Sequence, residues 1–118
     1  MSNVPDAVLD EVAERFRLLG DGTRLRMLRV LGQRGEVAVG ELAEAVGCSQ
    51  ANVSKHLRLL AAARMVRRRA EGTMAYYRLA DPSVGELCAL ACRGIRWWDA
   101  AEARRAGHGR TERGGTGR

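Results

Sequence analysis

Residues 39–63 constrain what this chain can fold into more than any other stretch. Leu42, Ala43 and Val46 recur at helical spacing and stop at Gly47; Val53, Leu57 and Leu60 recur the same way after Ser49. The spacing predicts two short helices, over about 39–46 and 49–63, with Ser49 as the N-cap of the second. Helices joined by so few residues must cross sharply. That crossing needs a small side chain at the close approach, a glycine at the turn and a branched apolar residue pinning the second helix to the first. Ala43, Gly47 and Val53 fill these places, at offsets of four and six.

The flanking sequence reads as further helices and one hairpin. Val8, Val12, Phe16 and Leu19 predict an amphipathic helix over 6–19, ended by Gly20. Asp21 or Thr23 can cap a second, with Leu25, Leu28 and Leu31 on one face and Gly32 and Gly35 at its end. Val66–Ala70 and Thr73–Leu79 read as strands joined at Glu71-Gly72. Asp81-Pro82 pairs an N-cap with proline at a first helical position. The helix it starts has Val84, Leu87, Cys88, Ala91, Ile95 and Trp98 on its apolar face. The reading is one mainly α domain over 1–106, about five helices with a small β-hairpin wing. Residues 107–118, with five glycines and no aliphatic residue, are expected to be a disordered Gly/Arg-rich tail.

Charge sharpens the picture. The 118 residues carry a net charge of +6, yet residues 49–78 alone hold Lys55, Arg58, Arg64, Arg67, Arg68, Arg69 and Arg78 against Glu71, which is also +6. A basic patch this concentrated is the footprint of a polyanion binder; the plainer reading is a solvated surface with no partner. On the second helix of the pair, Gln50, Asn52, Ser54, Lys55 and Arg58 form a polar face beside Ser49 and His56. Gln and Asn suit adenine edges, Arg and Lys suit guanine, and Ser suits base edges or phosphate. The arginines of the hairpin can reach phosphates or a minor groove. Strand alternation sends Arg67 and Arg69 to one face and Arg68 to the other, so only some of them can touch DNA. The longest apolar run, Leu87 to Cys92, is six residues, too short to span a membrane. Three cysteines do not make a disulfide scaffold, and Asp6, Asp10 and Glu11 do not suit a signal peptide, so a cytoplasmic protein is expected.

Several segments together resemble the ArsR/SmtB family of winged-helix repressors. They are Leu18-Leu19-Gly20-Asp21-Gly22-Thr23-Arg24-Leu25-Arg26-Met27-Leu28, then Glu41 to Gly47, then Ser49 to Leu57, and Gly72 to Leu79 in the wing. The resemblance runs from about Phe16 to Leu90. It implies a homodimer joined through the first and last helices, here Val8, Val12, Phe16, Val84, Leu87, Cys88, Ala91, Ile95 and Trp98. It also implies a palindromic DNA operator, released when an effector binds.

Many family members bind metal. The family's Cys-Val-Cys positions match Ala38, Val39 and Gly40, and its last-helix ligands match Asp81, Ser83, Gly94 and Trp97, of which only Asp81 can ligate. Leu59 to Ala63 offers no cysteine for a third variant. The remaining candidates for a divalent ion, nickel or zinc, at a non-standard site are Asp81, Cys88, Cys92 and His108. Cys88 and Cys92 share a helix face at i, i+4, so they can hold a soft metal or respond to oxidants. The plainer reading is two small residues buried in a dimer seam, with Cys48 a small core residue and His56 packed or phosphate-facing. Trp97 and Trp98 point about 100° apart on a helix, so one is expected at the seam or against the first helix. A rival reading is a winged-helix module that binds protein. An enzyme is disfavoured, since the sequence has no phosphate-cradling glycine loop and no histidine–carboxylate constellation.

Overall fold

The computed structural model describes residues 3–113. In chain order the elements are α1 (Asp6–Leu19), α2 (Gly22–Arg34), β1 (Val37–Ala38), α3 (Val39–Val46), α4 (Gln50–Ala62), β2 (Val66–Glu71), β3 (Met74–Leu79) and α5 (Ser83–Arg113). They form two compact units, one ending at Pro82 and the other starting at Ser83. Among the described residues, no helix is long and apolar enough to cross a membrane.

In the first unit the core is aliphatic. Leu42, Val53, Leu57, Leu60, Met27 and Met65 are fully withdrawn from solvent, with Leu18, Leu28, Leu31, Val37 and Val66 nearly so. α4 packs on α3 and on β2, and α2 packs on α3. Two side-chain caps set the helix starts. Asp21 Oδ1 accepts from Arg24 N at 3.0 Å, and Ser49 Oγ accepts from Asn52 N at 3.1 Å. α3 ends on Gly47 at φ 71°, the left-handed conformation that glycine adopts freely and that the sharp turn into α4 requires. The strands form an antiparallel sheet in the order β1-β3-β2. The β2–β3 hairpin is the wing, turning at Gly72 (φ 61°).

The structure departs from the sequence reading in several places. The strand β1 was not expected; its two residues pair with Tyr77 and Tyr76 of β3, and two residues carry no alternation to detect. Leu25 is 38% exposed, because Met27, Leu28, Val30 and Leu31 set the buried face of α2 and Leu25 lies well around the helix from them. α5 starts at Ser83, one residue after Pro82. It continues through 107–113, residues expected to be disordered; 114–118 lie outside the described residues. Leu57 and Leu59 give a direct check on the core. Leu57→Ala should lower the unfolding free energy in a urea titration by about 2–5 kcal/mol. Leu59→Ala, on the exposed side of α4, should cost about 0.5 kcal/mol or less.

Candidate nucleic-acid interface

The packing of α4 fixes which of its side chains can meet a ligand. Val53, Leu57 and Leu60 face inward, and Asn52, Lys55 and Arg58 are exposed around the opposite side. Gln50 is exposed at the first turn, beside α3: a Cβ built on Gly40 would come within 3.2 Å of its Nε2. Ser54 is half-buried on the flank. Two of the expected contact residues have work inside the protein. The Ser49 hydroxyl is the cap acceptor of α4. The His56 ring faces α2, its Nδ1 accepting from Arg24 Nε at 3.1 Å, while Arg24 Nη1 donates to Leu18 O at 3.3 Å. His56 therefore ties α4 to α2 and does not point outward with Lys55 and Arg58.

The strand register sorts the arginines of the wing. Arg67 pairs with Arg78, Arg68 with Tyr77 and Arg69 with Tyr76. Directly opposed residues share a face. Arg67, Arg69, Tyr76 and Arg78 therefore lie on one face, and Arg68 lies with Val66 and the buried Tyr77 on the other. Arg69 is fully engaged. Its Nε and Nη2 each donate to the carboxylate of Glu36 at 2.9 Å, its Nη1 donates to Glu71 Oε1 at 2.6 Å, and its Cζ lies 4.7 Å from the centre of the Tyr76 ring. These bonds tie the wing to the residue before β1 and give Arg69 partners within the fold. Among the described residues, Lys55, Arg58, Arg67, Arg68 and Arg78 make no hydrogen bond or ion pair. Like charges directly opposed across a ladder repel, so the Arg67–Arg78 pair favours a bound anion.

The expected metal and dimer residues separate in the same way. Asp81 Oδ2 accepts from Arg15 Nη1 at 2.7 Å, and Arg15 Nη2 donates to Ala63 O at 3.3 Å, so this carboxylate pins α1 near the end of α4. On α5, Cys88 and Cys92 are exposed thiols, and Arg96 Nη1 lies 3.2 Å from Cys92 Sγ. His108 falls in α5, but its side chain lies outside the described residues. Among the described residues no group of three or more His, Cys, Asp or Glu side chains could hold a metal. Cys48 is half-buried, its Sγ 3.9 Å from Val46 O, and not a full core residue. Val8, Val12 and Phe16 of α1 are exposed, as are Ala91, Ile95 and Trp98 of α5; Leu87 is half-buried. Val84 is buried in the single chain, 1% exposed. Both Trp97 and Trp98 are exposed, edge to face with ring centres 5.3 Å apart.

Residues 19–69 match the family model of a helix-turn-helix domain. The chain is 32% identical over 95 residues to the arsenical resistance operon repressor of Bacillus subtilis, covering 76% of this chain and 90% of that protein. It is 37% identical to the homodimeric winged helix-turn-helix DNA-binding domain Mb0332 of Mycobacterium bovis, a possible ArsR-family transcriptional regulator, with a TM-score of 0.68 over 81% of this chain and 91% of that one. This chain belongs to the ArsR/SmtB family of winged helix-turn-helix regulators. A further relative is the HTH-type transcriptional regulator KmtR of Mycobacterium tuberculosis, 45% identical over 84 residues, 71% of this chain. The chain spans 64% of KmtR, less than two thirds of its length. The family's fold is the one described above, and its turn, second helix and wing correspond to Gly47, α4 and β2–β3.

The ion pair at Arg69 gives the wing a pH dependence. Hydrogen bonding from Arg69, with the charges of Arg69 and Arg78 adding, holds the Glu36 carboxyl below the ordinary carboxylate range. A depressed carboxylate stabilises the fold above its unfolded pKa, and that contribution is lost as pH falls through the lower folded value. The protection factors of the Arg69 and Tyr76 amides, taken against the intrinsic exchange rate at each pH, should therefore fall below the ordinary carboxylate range. Glu36→Gln should show the lower protection already at neutral pH.

Proposed function

We propose that this chain is a cytoplasmic, homodimeric, effector-responsive repressor that binds a palindromic DNA operator through α4 and its wing. One observation carries the reading. The exposed side of α4 and the outer face of the wing present Lys55, Arg58, Arg67 and Arg78, which make no hydrogen bond or ion pair among the described residues, beside the base-reading types Gln50 and Asn52. Arg69 is held by ion pairs within the fold; among the described residues these four form none. Two-fold symmetry would double the basic surface and set half-sites about one helical turn apart. The exposed Val8, Val12 and Phe16 of α1 and Ile95 and Trp98 of α5 supply apolar surface for the dimer. The homodimeric state of the Mb0332 domain supports that assembly.

About three phosphate contacts per protomer predict a log–log salt slope near −5. Arg58→Ala and Arg67→Ala should weaken binding to every duplex and reduce that slope. Gln50→Ala and Asn52→Ala should instead relax base preference at constant slope. Fluorescence anisotropy on operator and scrambled duplexes separates the two classes. Equal weakening on both duplexes by Gln50→Ala would remove it as a base reader.

For the effector, the donor chemistry points to sulfur. The ligand set of the family's last-helix site does not fit: Asp81 is engaged by Arg15, and Ser83, Gly94 and Trp97 hold its other places. A nickel or zinc site would need further donors beside Cys88 and Cys92, and the described residues gather no group of three or more His, Cys, Asp or Glu. Two exposed thiols on one helix face, with Arg96 beside Cys92, suit a thiophilic ion or a thiol-reactive agent. The relative named for arsenical resistance supports the same chemistry. Cys88→Ser with Cys92→Ser should leave operator affinity of the untreated protein unchanged. The double variant should abolish release of the duplex by arsenite or by a mild oxidant, read by the same anisotropy.

A further inference from the structure

Gly40 is a glycine whose presence the backbone does not explain. It is the second residue of α3 and lies outside the left-handed region that Gly35, Gly47 and Gly72 occupy. Alanine suits a helix better than glycine, by up to about 1 kcal/mol. What sets this position apart is the side chain beside it. A Cβ built on Gly40 would lie 3.2 Å from Nε2 of Gln50 and 3.8 Å from its Cδ, the tightest approach at any described glycine. Gly40 is half-buried, so the missing Cβ leaves a notch at the start of α3, and the Gln50 carboxamide lies over it.

Gln50 is the first residue of α4, one position after the capping Ser49, and it is exposed. The cap and the buried stripe of Val53, Leu57 and Leu60 fix its backbone. They do not fix its side-chain torsions, and ordering a glutamine side chain costs up to about 2 kcal/mol. A surface that already holds the carboxamide against α3 lowers that cost before a ligand arrives. The orientation carries information as well. Glutamine distinguishes adenine when its amide meets the base edge with N–H toward N7 and C=O toward the N6 amino group. A methyl group at position 40 would crowd Nε2, the end of a flexible chain, so the side chain would swing away while the helices stayed in place.

We propose that Gly40 is a positioning residue for base specificity: by withholding a side chain it seats the Gln50 carboxamide against α3 and so sets which base α4 prefers. The proposal rests on the DNA-binding reading above. The test uses Gly40→Ala, Gln50→Ala and the double variant in the full chain, with competition anisotropy on operator duplexes altered one base pair at a time. Gly40→Ala should melt at or above the unsubstituted protein, as alanine suits the helix; a lower melt would assign the glycine to the fold and overturn the role. Discrimination at the base pair that Gln50→Ala relaxes should fall about fivefold in Gly40→Ala, the lower end of one bidentate contact. The salt slope should not change, since no phosphate contact is lost. With Gln50→Ala already present, Gly40→Ala should have no further effect on discrimination. A second arm needs neither DNA nor a variant: nuclear Overhauser cross-peaks between the Gly40 α protons and the Gln50 side-chain amide should be present in the free protein. Their absence would remove the seat. Unaltered discrimination by Gly40→Ala, a loss that persists beside Gln50→Ala, or a Gln50→Ala that relaxes no base pair would overturn the positioning role and leave the DNA-binding reading intact. Failure of the unsubstituted protein to distinguish operator from scrambled duplex would sink both.

Discussion

The withdrawal of Val53, Leu57 and Leu60 from water is the constraint on which the rest depends. These side chains occupy one stripe of α4, and burying each is worth roughly 1.5–3 kcal/mol. Once the stripe is inside, the rotation of the helix is fixed, and with it the exposure of Asn52, Lys55 and Arg58. Gly47 makes the arrangement possible, since the turn into α4 needs a backbone conformation that most residues adopt only with strain. Ser49 then caps α4 with its own hydroxyl. The presentation of the polar face is thus a consequence of how the apolar face is satisfied.

A second layer of organisation is the division of the cations into tethered and untethered groups. Arg15, Arg24 and Arg69 have internal partners: Asp81 and Ala63 O, Leu18 O and His56, and Glu36 and Glu71. Each joins segments distant in sequence, so each helps hold the frame. Lys55, Arg58, Arg64, Arg67, Arg68 and Arg78 have no such bonds among the described residues. They all lie on α4, at its end or in the hairpin that follows. Exposed ion pairs contribute little to stability, so the arrangement matters more for placing charge than for adding binding energy to the fold.

The unit that begins at Ser83 is a helix of another character. Leu90, Ile95, Trp97 and Trp98 are more than half exposed in the single chain, more apolar surface than a lone helix keeps comfortably in water. α1 presents Val8, Val12 and Phe16 in the same way. Cys88 and Cys92 sit along this helix, which couples any chemistry at the thiols to the part of the chain richest in exposed apolar groups.

Local physics made much of this legible in the sequence. Helical spacing gave α1, α3 and α4 almost to the residue, and Gly72 marked the hairpin turn, because a helix stripe and a positive φ each need particular residues at particular places. The buried stripe of α4 followed from the same spacing. What the sequence could not decide was which polar groups find each other across the fold. Arg15 meets Asp81 over 66 positions, Arg24 meets His56 over 32, and Arg69 meets Glu36 over 33. Those pairings give Asp81, His56 and Arg69 partners inside the fold that their types alone did not suggest. Arg64, left-handed at φ 63°, and the two-residue β1 were hidden for a related reason: one is imposed by the need to stop α4 and enter β2, the other by the backbone groups β3 offers. Spacing along the chain determines an element and its faces; only the closure of distant segments decides which charges are used up in the fold and which remain for a ligand.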